Sequence, residues 1–288
     1  MKTTVCRWAL LGMALAGLPG SSSRAQVLWD SDRGIVPAEQ GWDYLALGGP
    51  AATGPADGAF ELDTTATAAI QAGMFRLAPA PLDRGAGFAV ELEFALLAES
   101  HSRTERAGFS LIVLDQEARG IELAFQPDAV FAQTAEPLFT RGEEAAWPGG
   151  TERRRVTLTM RGERYRLHVD GVPILEGPVR AYWAFAGLFD VYETPNFLFL
   201  GDDTTSASAR VRLWTVRLAG PPRPALVRGG DGGVELRWEA TPGMWYGVER
   251  SRDLRTWERV ATVEAGGEVA TWPLPATGSP RFFRVTVP

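Results

Sequence analysis

Apolar and polar residues alternate with period two along most of this chain. In Phe88-Ala89-Val90-Glu91-Leu92-Glu93-Phe94 the large apolar side chains share one face of a strand and the two carboxylates share the other. Val156-Thr157-Leu158-Thr159-Met160 repeats the pattern, turns at Arg161 to Arg164, and returns as Tyr165-Arg166-Leu167-His168-Val169. Asp170-Gly171 closes the next hairpin, because both residues tolerate the positive φ of a two-residue turn. Phe109 to Leu114, Ile121 to Phe125, Ala184 to Phe189, Phe197 to Leu200 and Ala209 to Leu218 are further predicted strands. Many short strands broken by Gly, Pro and Asp predict an all-β protein, a β-sandwich or jelly roll.

Composition shifts at Ala219-Gly220-Pro221-Pro222-Arg223-Pro224. Proline-rich backbone is stiff and cannot continue a sheet, so 220–225 is expected to link a large domain (26–219) to a small one (226–288). The small one has strand patterns at Val234 to Trp238, Trp245 to Arg250, Trp257 to Val263 and Phe282 to Val287. Trp238 and Tyr246 are the expected core of a fibronectin type III-like sandwich. Trp245, Trp257 and Trp272 also suit a carbohydrate-stacking surface, although core packing accounts for most of them, since a buried indole removes much area from water.

The first 25 residues change the charge arithmetic. Lys2 and Arg7, the apolar run Trp8 to Leu18, and Ser23-Arg24-Ala25 form a secretory signal with cleavage expected before Gln26. The protein is therefore expected to be exported: extracellular, periplasmic or at the cell surface. Cys6, the one cysteine, would leave with the signal, and so would Lys2, the one lysine. No disulfide, thiol nucleophile or lysine Schiff base is then available. Losing Lys2, Arg7 and Arg24 moves the net charge from −6 to −9. With no basic run beyond Arg153-Arg154-Arg155, a nucleic-acid partner is not expected, because phosphate contacts need clustered cations. No later segment is apolar enough to span a membrane.

Most catalytic chemistry lacks its residues. The two histidines, His101 and His168, have no nucleophile elbow to serve, and His168 should project from a polar strand face beside Arg166 and Asp170. No His/Cys pair has zinc spacing. Glu91 and Glu93 share a strand face, as a glycosidase pair would, but in Glu91-x-Glu93-x-x-Leu96 a leucine stands where the jelly-roll glucanase signature needs its last acid. Both are expected to be solvated strand residues, so changing them to Gln should shift stability within about ±0.5 kcal/mol per site.

The run Tyr192 to Leu213 is the most unusual stretch. Phe197-Leu198-Phe199-Leu200 leads directly into Gly201-Asp202-Asp203-Thr204-Thr205-Ser206. Glu193, Asn196, Asp202 and Asp203 offer hard oxygen ligands, so calcium is the one metal worth weighing. The same residues make good turn chemistry, since short side chains bond their own backbone. The preferred expectation is a clasp: a buried strand stopped by Asp202 and Asp203 capping backbone N–H groups, with no cofactor.

Arg106-Ala107-Gly108-Phe109-Ser110, Gly120-Ile121-Glu122-Leu123, Phe131-Ala132-Gln133, Pro137-Leu138-Phe139-Thr140, Tyr165-x-Leu167, Leu175-x-Gly177-Pro178 and Tyr192 to Ser208 occur in order. Together they resemble the exported bacterial choice-of-anchor domains, which are concanavalin A-like, laminin-G-like jelly rolls. Tyr246-Gly247-Val248-Glu249-Arg250-Ser251 through Trp257, with Phe283-Arg284-Val285, is similar to fibronectin-like modules of exported proteins. Phe282 to Pro288 carries no apolar helix or basic stop of the kind the family's name refers to. The resemblance implies a concanavalin A-like sandwich with a non-catalytic binding or structural role toward a glycan, matrix or envelope component. It points to Arg106, Gln133, Glu193, Asn196, Asp202, Asp203 and Thr204 as the binding set, with Arg106 a partner for one of the two Asp carboxylates. A glycan-active enzyme is the alternative.

Overall fold

The computed structural model describes residues 26–33, 36–187, 190–230, 232–242, 244–274 and 282–287; the predicted signal segment, 1–25, lies outside them. The protein is all-β, a jelly-roll sandwich of two antiparallel sheets followed by a small sandwich. Two short 3-10 turns, Ser31–Arg33 and Pro37–Gln40, are the helical elements among the described residues, so none there crosses a membrane.

One large sheet has eight strands. Its main path runs Val172–Pro178, Arg164–Val169, Arg154–Arg161, Phe88–His101, Ala207–Ala219, Ala59–Asp63 and Ala52–Ala56, and Gln26–Asp30 also pairs with Ala207–Ala219. The other has seven, in the order Leu138–Ala146, Ala129–Ala135, Gly120–Phe125, Ser110–Leu114, Phe197–Asp202, Gln71–Leu77 and Asp43–Leu47. The Asp170-Gly171 turn forms as expected, with φ of 50° and 81°. Alternation places Phe88, Val90, Leu92 and Phe94 of one sheet against Leu111, Val113, Leu198 and Leu200 of the other. Phe94 anchors this core, with its ring 4.9 Å from Phe109, 5.2 Å from Phe125 and 5.5 Å from Trp147.

One predicted strand does not form. Residues 184–187 are turn and irregular backbone, and 188–189 lie outside the described residues. The segment turns where the Phe185 N–H donates to the Tyr182 carbonyl (2.9 Å), and Phe185 packs on an aromatic cluster outside the seven-stranded sheet. Its apolar residues come from covering a sheet, not from joining one.

The small unit is two three-stranded sheets: Ala225–Arg228, Val234–Glu239 and Val269–Pro273; and Glu258–Glu264, Trp245–Ser251 and Phe282–Thr286. Trp238 and Tyr246 are buried in its core, edge to face at 5.9 Å. Trp272 packs on Phe283, and the Arg284 guanidinium covers Trp257 at 4.2 Å. Contacts cross the proline-rich segment: Ala89 and Ala219 belong to the small unit's apolar cluster, and the Thr241 hydroxyl donates to the Leu218 carbonyl at 3.2 Å.

That contact overturns one expectation. Glu91 and Glu93 are on the outer face of the eight-stranded sheet, as alternation requires, but they are 0% and 7% exposed. The small sandwich covers that face. Arg217 and Arg155 pair with both carboxylates, and Arg153 with Glu93; Arg155 also reaches Glu264 of the small unit at 3.2 Å. His168 occupies the same outer face beside Arg166, but it too is mostly covered (9% exposed). Burial lowers its proton affinity, and Arg166 and Arg259 lower it further.

Candidate functional site

The outer face of the seven-stranded sheet is apolar where a solvated sheet would be polar. Period two sends Leu198 and Leu200 to the core, so Phe197 and Phe199 point outward. Pairing sets Phe199 between Phe75 and Ile112, and Phe197 beside Leu77. The Phe199 ring lies over Gly73, where a Cβ would meet it at 2.5 Å. These side chains floor a cavity of about 660 Å³, with Leu45 and Leu47 of the edge strand on one side and Phe139, Phe185, Val191 and Tyr192 on the other. That volume is within the usual range for small-molecule sites, and so is an apolar lining with a few convergent polar groups.

The polar groups gather at one end. Arg106 Nη2 stands 3.6 Å from Asp203 Oδ1, and Nη1 stands 3.9 Å from Glu122 Oε1. Its guanidinium lies over the Phe139 ring, 5.0 Å from the centroid. Phe139 has φ +57°, a region costly for a bulky side chain. Such strain is typical of functional positions, and here it holds the ring beneath the cation. Asp203 Oδ1 also accepts from the Ser110 hydroxyl (3.2 Å), while its backbone carbonyl accepts from Gln71 Nε2 (2.8 Å).

Glu122 lies behind Arg106, wholly buried. The Tyr192 hydroxyl donates to Glu122 Oε2, the Glu122 N–H donates to the Tyr182 oxygen (3.1 Å), and the Tyr182 hydroxyl donates to the Gln133 carbonyl (2.8 Å). Burial, then the negative Asp203, pushes the Glu122 carboxyl well above the usual range; Arg106 pulls it back only in part. Tyr192 and Tyr182 are likewise raised, first by burial and then by the charge on Glu122. Arg106 Nη1, Glu122 Oε1 and Gln133 Oε1 are buried without a hydrogen-bond partner. Unpaired buried polar atoms are uncommon, and three lie together here.

The structure does not keep the sequence-derived binding set together. Arg106, Gln133 and Asp203 meet around Glu122. Asp202 borders the cavity, but its carboxylate turns into a local clasp: Oδ2 is 2.7 Å from the Thr64 hydroxyl, and Oδ1 accepts from the Thr204 N–H at 3.1 Å. The Thr204 hydroxyl meets that of Ser206 at 2.9 Å. Asp202 therefore caps backbone as expected, whereas Asp203 caps nothing and faces Arg106. The strand also runs two residues further than expected, through Gly201 and Asp202, paired with Gly73 and Ala72.

Glu193 and Asn196 are elsewhere. Glu193 is exposed in a turn, and Asn196 Oδ1 accepts from the Leu82 N–H at 2.7 Å. A strand rises about 3.3 Å per residue, so Asn196 and Asp202 are roughly 20 Å apart at opposite ends of Phe197–Asp202. The four suggested calcium ligands do not converge. Among the described residues, no group of three or more His, Cys, Asp or Glu is placed to hold a metal ion.

No protein-family model matches the chain, and no curated protein matches it. Among solved structures it is similar to a Bacillus subtilis protein of unknown function with a galectin-like fold: 11% identity, 69% of this chain and 97% of that one, TM-score 0.43. The potassium-bound carbohydrate recognition domain of Emp46p is also similar, at 10% identity over 67% of this chain and 95% of that one, TM-score 0.39. So is a family 7 alginate lyase in complex with product: 12% identity, 58% and 81% coverage, TM-score 0.38. These likenesses are distant; the sandwich is defined by this chain's own strand pairing.

Proposed function

We propose that this protein is a non-catalytic binding module, exported and cleaved before Gln26, whose ligand is a carbohydrate seated on the seven-stranded sheet. The observation that carries this is Arg106, clamped between Phe139 and Asp203 at the end of an aromatic-floored cavity. A sugar ring has apolar faces for Phe75 and Phe199, and hydroxyls for Arg106, Asp203 and Gln71. The units 26–219 and 226–288 serve as two modules, the second fibronectin type III-like and packed on the sheet opposite the site, which leaves the cavity open.

A glycan-active enzyme would need two carboxyls reaching the substrate. Glu122 holds a proton well, as a general acid should, but it is fully buried behind Tyr192 and Arg106. A general acid must come within hydrogen-bond reach of the leaving oxygen. Screening residues 26–288 on a glycan array, beside a Phe199→Ala variant and with product analysis for each bound glycan, tests the assignment. Binding lost in the variant, without cleavage, is the expected result. Cleavage, or binding indifferent to Phe199, would replace it.

A further inference from the structure

We propose that a second site, the cleft between the two sandwiches, binds an acidic polysaccharide: a sugar chain carrying sulfate or carboxylate groups. The cleft encloses about 460 Å³ and is lined by Arg161, Arg164 and Arg166 of the eight-stranded sheet and by Arg259 and Arg284 of the small unit. Strand register puts these residues together. Arg161 lies opposite Arg164, and Arg166 opposite Thr159, all on the outer face. Glu249 pairs with Arg259 on one side and Arg284 on the other, so all three share one face of the small sheet.

Charge is left over. Arg164 and Arg166 both contact Glu176 at 3.0 Å, and Arg259 and Arg284 both contact Glu249, at 3.3 and 2.7 Å. Each carboxylate thus serves two guanidiniums, and Arg161 joins no ion pair among the described residues. The surplus is positive in a chain whose net charge is −6. By contrast, the Arg153-Arg154-Arg155 run is occupied internally by Glu93, Glu152, Asp170 and Glu91. Guanidinium forks match planar or tetrahedral oxyanions and hold their charge at any working pH. Met160, Val285 and Val287 also line the cleft, but no aromatic side chain does among the described residues, so bases find no ring to stack on, which disfavours a single-stranded nucleic acid.

The test is a titration of residues 26–288 with dextran sulfate, carboxymethyl dextran, uncharged dextran and oligothymidylate at several salt concentrations. Binding to a sulfated or carboxylated dextran, weakening as salt rises, is expected, and the two arms show which group is preferred. Arg161→Ser/Arg164→Ser/Arg166→Ser should lower that affinity at least tenfold. Arg259→Gln/Arg284→Gln, from the other wall, should do so independently, which covers the case in which one variant misfolds. Arg103→Ser/Arg228→Ser/Arg252→Ser removes equal charge from exposed sites elsewhere and should change affinity less than threefold. Equal binding of uncharged dextran, equal or tighter binding of oligothymidylate, or equal loss in the charge control would each overturn the proposal. Phe199→Ala should leave this binding intact, so failure here is distinguishable from failure of the sheet-face site.

Discussion

Arg217 Nη1 donates to Glu91 Oε1 and to Glu93 Oε1, each at 2.8 Å, and so bridges two carboxylates that share one strand. Without that cation two like charges would face each other under the small sandwich. Burial holds the Glu91 carboxyl above its ordinary range despite Arg217 and Arg155. Burial also raises Glu93, but hydrogen bonds from Arg217 and Arg153 outweigh it and leave the group lowered.

Replacing both glutamates with glutamine leaves Arg217 without the two carboxylates it bridges and takes from Arg155 all but Glu264 of its acidic partners named above. Breaking a buried pair from one side costs about 3 kcal/mol or more, far beyond the effect of an exposed change. Glu91→Gln/Glu93→Gln should therefore lower the denaturant midpoint clearly. A midpoint within error of wild type would mean that the face is solvated after all.

Arg106 and Glu122 should be coupled. Above about pH 8, where the Glu122 carboxyl gives up its proton, Arg106→Ala leaves a buried carboxylate with no cation, at a cost of about 2 kcal/mol. Glu122→Gln removes the charge that needed balancing. Combining them should cost less than the sum, by about 1 kcal/mol or more, because the residues share one network. Strict additivity in urea unfolding would show that the 3.9 Å contact carries no energy.

Stability should fall as pH rises from about 4 to 8. Burial raises the Asp202 carboxyl to about 8, against donors at Thr64 and Thr204 that favour the charged form. Protonation also resolves a conflict: the Thr64 hydroxyl is 2.7 Å from Asp202 and 3.2 Å from the Ala209 carbonyl, and its one proton can satisfy both contacts only if Asp202 donates. The unfolded chain releases this proton near 3.8. Between the two values the folded state binds more protons, so its stability is greatest below the unfolded value and is lost as pH climbs, by up to about 1.4 kcal/mol per pH unit per proton. Glu122, raised by burial, adds in the same direction. Asp202→Asn should flatten the slope between pH 5 and 8; an unchanged slope would assign the pH dependence elsewhere.

Period two was enough to find most strands and both hairpins, because alternation reports directly which side chains share a face. It does not report what covers that face. Glu91 and Glu93 look like solvent-facing acids until the small sandwich is docked, and Glu122 between Ile121 and Leu123 looks the same. A signal for Glu122 did exist. Phe75, Ile112, Phe197 and Phe199 fall on the outward register of neighbouring strands, and an acid inserted among them had to be buried. Arg106 and Asp203 were found through motif company, not periodicity, since loop residues distant in sequence leave no periodic trace. The calcium set failed for a simpler reason: proximity in sequence along an extended strand is distance in space.

Gly73 gives the last and most local test. A Cβ there would meet the Phe199 ring at 2.5 and 2.6 Å and the Leu200 carbonyl oxygen at 2.8 Å. Gly73→Ala should therefore push the ring off the cavity floor and destabilise the sheet by about 1–3 kcal/mol, the usual cost of overpacking. Phe199→Ala should be milder, since Phe199 is only partly buried and its loss opens into the cavity. Placing Gly73→Ala on that background should cost less than it does in wild type, because the ring clash is gone and only the carbonyl contact remains. Melting curves of the two single variants and the double variant measure this. If Gly73→Ala costs the same with and without the ring, Phe199 does not lie over Gly73, and the floor of the cavity must be drawn differently.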